Sequence, residues 1–154
     1  MDPQLHGRTR WRWRNFPVPE SHLAFLGAGT VLHLARPRKI TTASGRQGPI
    51  GWLIITVGAG LAAWATRSAS DTDLESPDRV VTTGLYAISR HPMYVSWTLI
   101  YLGAALVINS VWPIRLLPML LLAIHREALR EEDRLEGRFG SAYGAYRSRV
   151  RRYV

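Results

Sequence analysis

The sequence predicts an all-α integral membrane protein with about four transmembrane helices, a C-terminal helical hairpin and an amphipathic cytosolic C-terminal helix. Three observations lead there. Hydrophobic residues make up 47% of the 154-residue chain although its formal net charge is +9, and the two are segregated: arginine collects in the ends and connections, apolar residues in long uncharged runs. The mean hydropathy of -0.05 averages over that segregation and hides it. The longer runs approach the roughly 20 residues that a bilayer crossing needs, and the longest is interrupted at "INSVWP" by residues that start a helix rather than continue one. The absence of cysteine excludes disulfides, thiolate metal sites and a cysteine nucleophile, and no metal site is expected.

The N-terminal stretch "MDPQLHGRTRWRWRNFPVPE" is basic but has neither the apolar core nor the cleavage site of a signal peptide, so it is expected to be retained. Its alternating Trp and Arg could stack on nucleic-acid bases. A membrane interface selects the same pair, with indoles at headgroup level and guanidiniums on anionic lipid, and no nucleic-acid partner is expected. The first apolar segment, Leu23 to Ala35, is short for a crossing and is expected to be tilted or only partly inserted. The second, Pro49 to Thr66, is nearer full length, and Gly58, Gly60 and Ala62 offer a surface for close helix approach. Residues 67–90 turn polar, with Pro77 and Gly84 as breakers, and read as a water-side loop.

From Met93 to Ile114 there is no charge, which by itself suits a single span. Ser110, however, can N-cap a new helix, and Pro113 is tolerated in that helix's first turn. Apolar sequence then resumes to Ile124, so a hairpin folded at Asn109 and Ser110 is expected. As one straight helix this stretch would hold Tyr94 and Glu131 about 55 Å apart. Folded back, it brings them to one membrane face.

Beyond Ile124 the last long helix is expected to continue into water, with Arg126, Arg130 and Arg134 in one stripe and Glu127 and Glu131 in another. Phe139, Tyr143, Tyr146 and Val150 recur at helical spacing and predict a further amphipathic helix, loosened from the preceding one at Gly137 and Gly140. Tyr143 and Tyr146 are expected to pack inward. The whole chain, 1–154, reads as one domain, in which 1–66 supplies the basic segment and two apolar helices and 67–154 supplies the polar motifs.

Taken singly, those polar residues have plain roles: Arg90 and His91 as interfacial anchors, Tyr94 with Trp97 as an aromatic belt, Glu131 and Glu132 as part of a solvated charge run. Their joint order says more. "GLYAISRHPMY" and "REEDRLEGRFGSAYGAY" resemble the C-terminal signature of the isoprenylcysteine carboxyl methyltransferases and the related phospholipid methyltransferases. That signature reads approximately G-x-Y-x-x-x-R-H-P-x-Y, a hairpin, then E-E-x-x-L-x-x-x-F-G-x-x-Y-x-x-Y. It is met by Gly84, Tyr86, Arg90, His91, Pro92, Tyr94, Glu131, Glu132, Leu135, Phe139, Gly140, Tyr143 and Tyr146, while Leu85 and Ser96 depart from common family choices.

The resemblance implies an S-adenosylmethionine-dependent membrane methyltransferase with 67–154 as its cofactor-binding catalytic half. Gly84, Tyr86, Arg90, His91, Pro92, Tyr94, Glu131 and Glu132 are the implied cofactor-binding set. Glu131 or Glu132 suits the cofactor's ammonium, Arg90 or His91 its carboxylate, and Tyr86 and Tyr94 its sulfonium or adenine. Pro92 would fix the turn into the third helix.

For catalysis, Arg126 or Arg130 could orient an acceptor carboxylate, and Glu127 or His125 could serve as a base. A carboxylate is already ionised at neutral pH, whereas an amine with a pKa near 10 must first lose a proton. The lack of an evident buried base therefore favours the carboxylate of an isoprenylcysteine-like molecule, with a phospholipid or other small amine as the alternative. In either case the expected partners are a lipophilic small-molecule acceptor and membrane lipid.

Two other functions share parts of this pattern. A reductase of the sterol or enone type would use NADPH and need further helices, and a non-enzymatic membrane adaptor would use only the basic ends. Four crossings with the active site cytoplasmic leave Arg36, Arg38, Lys39 and Arg46 outside, against the positive-inside tendency.

Overall fold

The computed structural model describes residues 20–42, 45–70, 72 and 77–153, so the Trp/Arg alternation near the N-terminus lies outside the described residues. Among the described residues the regular elements are helices: α1 (Glu20–Ala35), α2 (Gln47–Ser68), α3 (Pro92–Val107), α4 (Val111–Phe139) and α5 (Ser141–Arg147), with a 3-10 turn at Gly84–Ala87. Helix α2 packs along α3, and α1 packs along α4.

The hairpin forms where local chemistry places it. Helix α3 ends at Val107 and α4 starts at Val111. Asn109 turns the chain with a left-handed φ of 49°, which Asn tolerates better than most residues. The Ser110 hydroxyl accepts from the Trp112 amide at 3.3 Å, and Tyr101 donates to the Pro113 carbonyl at 2.7 Å, tying the two helices together behind the turn. The same tip grips the α1–α2 connection. Asn109 accepts from the amides of Ile40 and Thr41 and donates to the Thr41 carbonyl, and the Trp112 indole donates to Arg36 O at 2.8 Å. Helix α1 thus runs beside the first part of α4, from this tip to a hydrogen bond of 2.5 Å between Ser21 and Glu127.

Close backbone approach holds α2 to α3. A Cβ on Gly51 would stand 2.7 Å from Gly103 O, and one on Gly103 would stand 2.6 Å from Gly51 O. Gly58 fits the same seam against Ser96 O, as its spacing predicts, whereas Gly60 faces open space and Gly51 supplies the second contact. Such seams let packing and weak C–H contacts replace a hydrophobic drive that is missing in lipid. We expect Gly103→Ala to cost about 1–3 kcal/mol through overpacking, while Gly60→Ala leaves the unfolding midpoint in detergent unchanged or slightly raised.

Tyr101, Leu120 and Ile124 form one core cluster between α3 and α4, with Phe25 and Leu26 of α1 packed onto it. A second, of Ala62, Ala65, Leu85 and Met93, seals α2 against the 3-10 turn and the start of α3. Outward faces stay apolar: Leu34 is 76% exposed, Leu53 64% and Met119 61%. Among the described residues one helix, α2 with 22 residues, is long and apolar enough to cross a membrane. Helices α1 and α3 have 16 residues each, so length alone does not carry a count of four crossings. Beyond the bundle, α4 continues through Gly137 and breaks at Gly140, whose φ is 51°. Helix α5 ends at Arg147, leaving Val150 outside the predicted amphipathic helix.

Candidate functional site

The segment Ser89-Arg90-His91 follows the 3-10 turn and pairs with the end of the described chain. Ser89 and Arg151 form a parallel β-bridge, Arg90 N donates to Arg151 O at 2.9 Å, and His91 N donates to Arg152 O at 3.2 Å. Pro92 then sits in the first turn of α3, where a missing N–H leaves no helical bond unmade. Gly84 opens the turn with a φ of 60°, and a Cβ there would strike the Ser68 side chain.

Glu132 reaches into this junction from α4, and three basic groups meet it. Arg152 binds both carboxylate oxygens at 2.8 and 2.9 Å, His91 Nε2 lies 3.1 Å from Oε1, and Arg90 forms an ion pair at 3.2 Å. Glu132 is 2% exposed and His91 5%. Burial by itself would raise the Glu132 carboxyl, but Arg152, Arg90 and His91 together hold it below the ordinary carboxylate range. Burial lowers His91 below its usual value, against the raising pull of Glu131 and Glu132, so the imidazole is neutral at pH 7.

Glu131, the next residue, behaves differently. Its side chain is 45% exposed and lies 3.6 Å from His91 Nδ1, and its charge reaches both Tyr86 and Tyr94. Burial first, then Glu131 and Tyr146, push the Tyr86 phenol well above its usual range, so it stays a neutral hydrogen-bonding group. Tyr146 donates to the Tyr86 carbonyl at 2.7 Å, and the Tyr143 and Tyr146 rings pack inward 6.0 Å apart. Arg90 Nε is buried and has no hydrogen-bond acceptor among the described residues.

Tyr86, Arg90, His91, Pro92, Tyr94, Glu131 and Glu132 thus converge at one end of the bundle. Gly84 shapes the turn behind them. Arg126 and Arg130 are exposed on α4, and Glu127 is held by Ser21 rather than by the cluster. Two participants had almost no signature in the sequence: Arg152 and Tyr153. The one hint was chemical, since a carboxylate turned inward from α4 would need a cation from somewhere.

Beside the cluster a cavity of about 630 Å³ runs between α3 and α4, a size typical of small-molecule sites. Val95, Leu99, Leu121, Leu122 and Ile124 make its wall apolar, and Tyr94, Thr98, His125 and Tyr153 supply its polar groups. Tyr153 stands between the two parts of the site, its ring 6.2 Å from His91 and 6.1 Å from His125.

A protein-family profile described as phospholipid methyltransferase matches residues 48–142, from the start of α2 into α5. No curated protein and no solved structure matches the chain significantly.

Proposed function

The chain belongs to the phospholipid methyltransferase family and is a methyltransferase, and on that premise we propose that it moves a methyl group from S-adenosylmethionine to a lipophilic acceptor at the membrane boundary. The residues fit that cofactor. Its amino-acid end needs an anion for the ammonium and a donor for the carboxylate. Glu131 is a half-exposed carboxylate among aromatic rings, and buried Arg90 Nε is a donor without an acceptor. Tyr86 and Tyr94 flank Glu131 and suit a cation by their ring faces. When bound, the cofactor supplies an electrophilic methyl on sulfonium. Glu132 acts as the organiser that holds Arg90, His91 and Arg152 in register.

The observation that carries the acceptor half is the apolar α3–α4 cavity, which adjoins the polar cluster and has the exposed side chains of Leu121 and Leu122 in its wall. A lipid tail fits there with its head beside Tyr94, His125 and Tyr153. Sequence reasoning favoured a carboxylate head oriented by Arg126 or Arg130. Among the described residues, however, no Arg or Lys lines the cavity, and the family's name points to phospholipid. Both support the alternative, an amine-bearing lipid head. The protein binds and orients the head and excludes water around it, which is where positioning contributes most.

The test is methyl transfer by purified protein in lipid nanodiscs, comparing an amine-headed lipid with an isoprenylcysteine-like acid. Leu99→Trp should fill the cavity and raise KM for the lipid about tenfold or more, as a hydrophobic pocket's loss of 1–3 kcal/mol implies, with S-adenosylmethionine affinity unchanged. Unaltered KM would reject the cavity as the acceptor site, and transfer to the acid alone would reject the amine.

In the bilayer, α2 crosses and α1, α3 and the apolar half of α4 stand beside it, their exposed side chains in lipid. The shorter helices are accommodated by local thinning of the bilayer. The site and the N-terminal end of α1 then face the cytoplasm, and the 36–42 connection lies at the opposite end. A cysteine at Arg38 should be labelled by an impermeant reagent from outside intact cells; labelling only after permeabilisation would overturn this topology.

A further inference from the structure

His125 lines the acceptor cavity, and its Nδ1 lies 3.0 Å from the Tyr153 hydroxyl. Among the described residues Nε2 has no protein partner. Tyr153 reaches His125 because Arg152, its neighbour, is clamped to Glu132, and because the backbone of 151–152 is bonded to Arg90 and His91. The cluster that fits the methyl donor therefore also sets the position of this phenol. Burial keeps the Tyr153 phenol above its usual pKa, so it remains a neutral hydroxyl against the imidazole.

Resting on the amine reading of the acceptor, we infer that His125 Nε2 accepts the proton that an ammonium head must lose before methyl transfer, and that Tyr153 is the positioning residue that orients the ring, its hydroxyl oxygen serving as acceptor for Nδ1–H. With the Nδ1 proton donated to Tyr153 Oη, Nε2 presents its lone pair to the cavity. An N–H bond of the ammonium head breaks and its proton passes to Nε2, leaving a neutral amine. The amine nitrogen forms the new N–C bond as the methyl's bond to the donor's sulfur breaks, with that electron pair staying on sulfur. The imidazolium later releases its proton to water.

Among the described residues, the other polar groups lining the cavity are Tyr94, Thr98 and Tyr153. Arg152 stands next to Tyr153 in the chain, His22 lies behind Thr98, and Glu131, whose charge reaches Tyr94, faces His91. Both tyrosines would have to ionise to act as bases, Arg152 is committed to Glu132, and His22 is 4% exposed and hydrogen-bonded to Thr98. Glu127 points to Ser21.

The experiment compares wild type, His125→Gln and Tyr153→Phe on two lipids, one with an ordinary ethylamine head and one with a fluorinated head whose amine is already neutral at the assay pH. His125→Gln should lose about 100-fold or more in kcat on the ordinary amine, the scale of general-base catalysis, and little on the fluorinated one, with cofactor affinity retained as proof of folding. Equal losses on both lipids would overturn the inference alone. Failure of wild type to methylate either amine would overturn the amine reading and this inference with it. A second readout needs no turnover: nitrogen chemical shifts of His125 in the donor-free protein should show the proton on Nδ1, with tautomers mixed in Tyr153→Phe. A proton on Nε2 in wild type would overturn the assignment of Nε2 as acceptor.

Discussion

Replacing Glu132 with alanine will lower the stability of the bundle by about 3–5 kcal/mol, the cost of breaking a buried ion pair from one side. The effect is large because three groups lose their partner at once. Arg90 is left as a buried cation, His91 loses its acceptor, and Arg152 loses both hydrogen bonds that hold the terminal segment. Unfolding in detergent should show the loss as a lowered midpoint, and limited trypsin digestion should cut at Arg151 and Arg152 in the variant well before wild type. A variant as stable as wild type, with the terminal segment equally protected, would show that Glu132 does not organise the site.

The same cluster sets a pH dependence with a definite sign. Both Glu132 and His91 bind protons more weakly folded than unfolded. Wherever the unfolded chain binds more protons, stability rises with pH. The contribution of His91 is therefore complete above pH 6.5 and falls as pH drops below that value, and that of Glu132 is complete above 4.5 and falls below it. Unfolding midpoints measured from pH 8 downward should stay level, then decline in two stages. A midpoint that rises on acidification would contradict the assignment.

Glu131→Gln is expected to do the opposite of Glu132→Ala: leave stability nearly unchanged and weaken S-adenosylmethionine binding about tenfold or more, the scale of a lost charge-assisted hydrogen bond. The reason is its surroundings. Its carboxylate is half-exposed and, among the described residues, no Arg or Lys pairs with it, so removing the charge strands no buried cation. Calorimetric titration checks the prediction, and unchanged affinity would move the ammonium site elsewhere. The two adjacent glutamates are thus separable by experiment, one through folding and the other through binding.

Much of the fold was legible locally. The turn at Asn109 and Ser110, the cap on α4 and Pro113 within its first turn are short-range features, and the structure carries all three. The motif residues from Tyr86 to Tyr94 and the twin glutamates do meet, because the hairpin returns the chain to the level at which it left. Less legible was the division of labour. Arg126 and Arg130 carry the right charge for a substrate anion, but successive helical residues point roughly 100° apart, and theirs is not the face that His125 presents to the cavity.

What the sequence by itself determined was the helical content, the hairpin and the family signature, since each depends on residues near one another in the chain or on a fixed order of types. What only the tertiary structure decided was which glutamate is buried, and that Arg152, far along the chain, joins Arg90 and His91 in holding it. An ion pair between Glu132 and Arg152 obeys no spacing rule. It exists because α4, α5 and the terminal segment fold back onto Ser89, and a carboxylate removed from water there must be met by cations from wherever the chain can bring them.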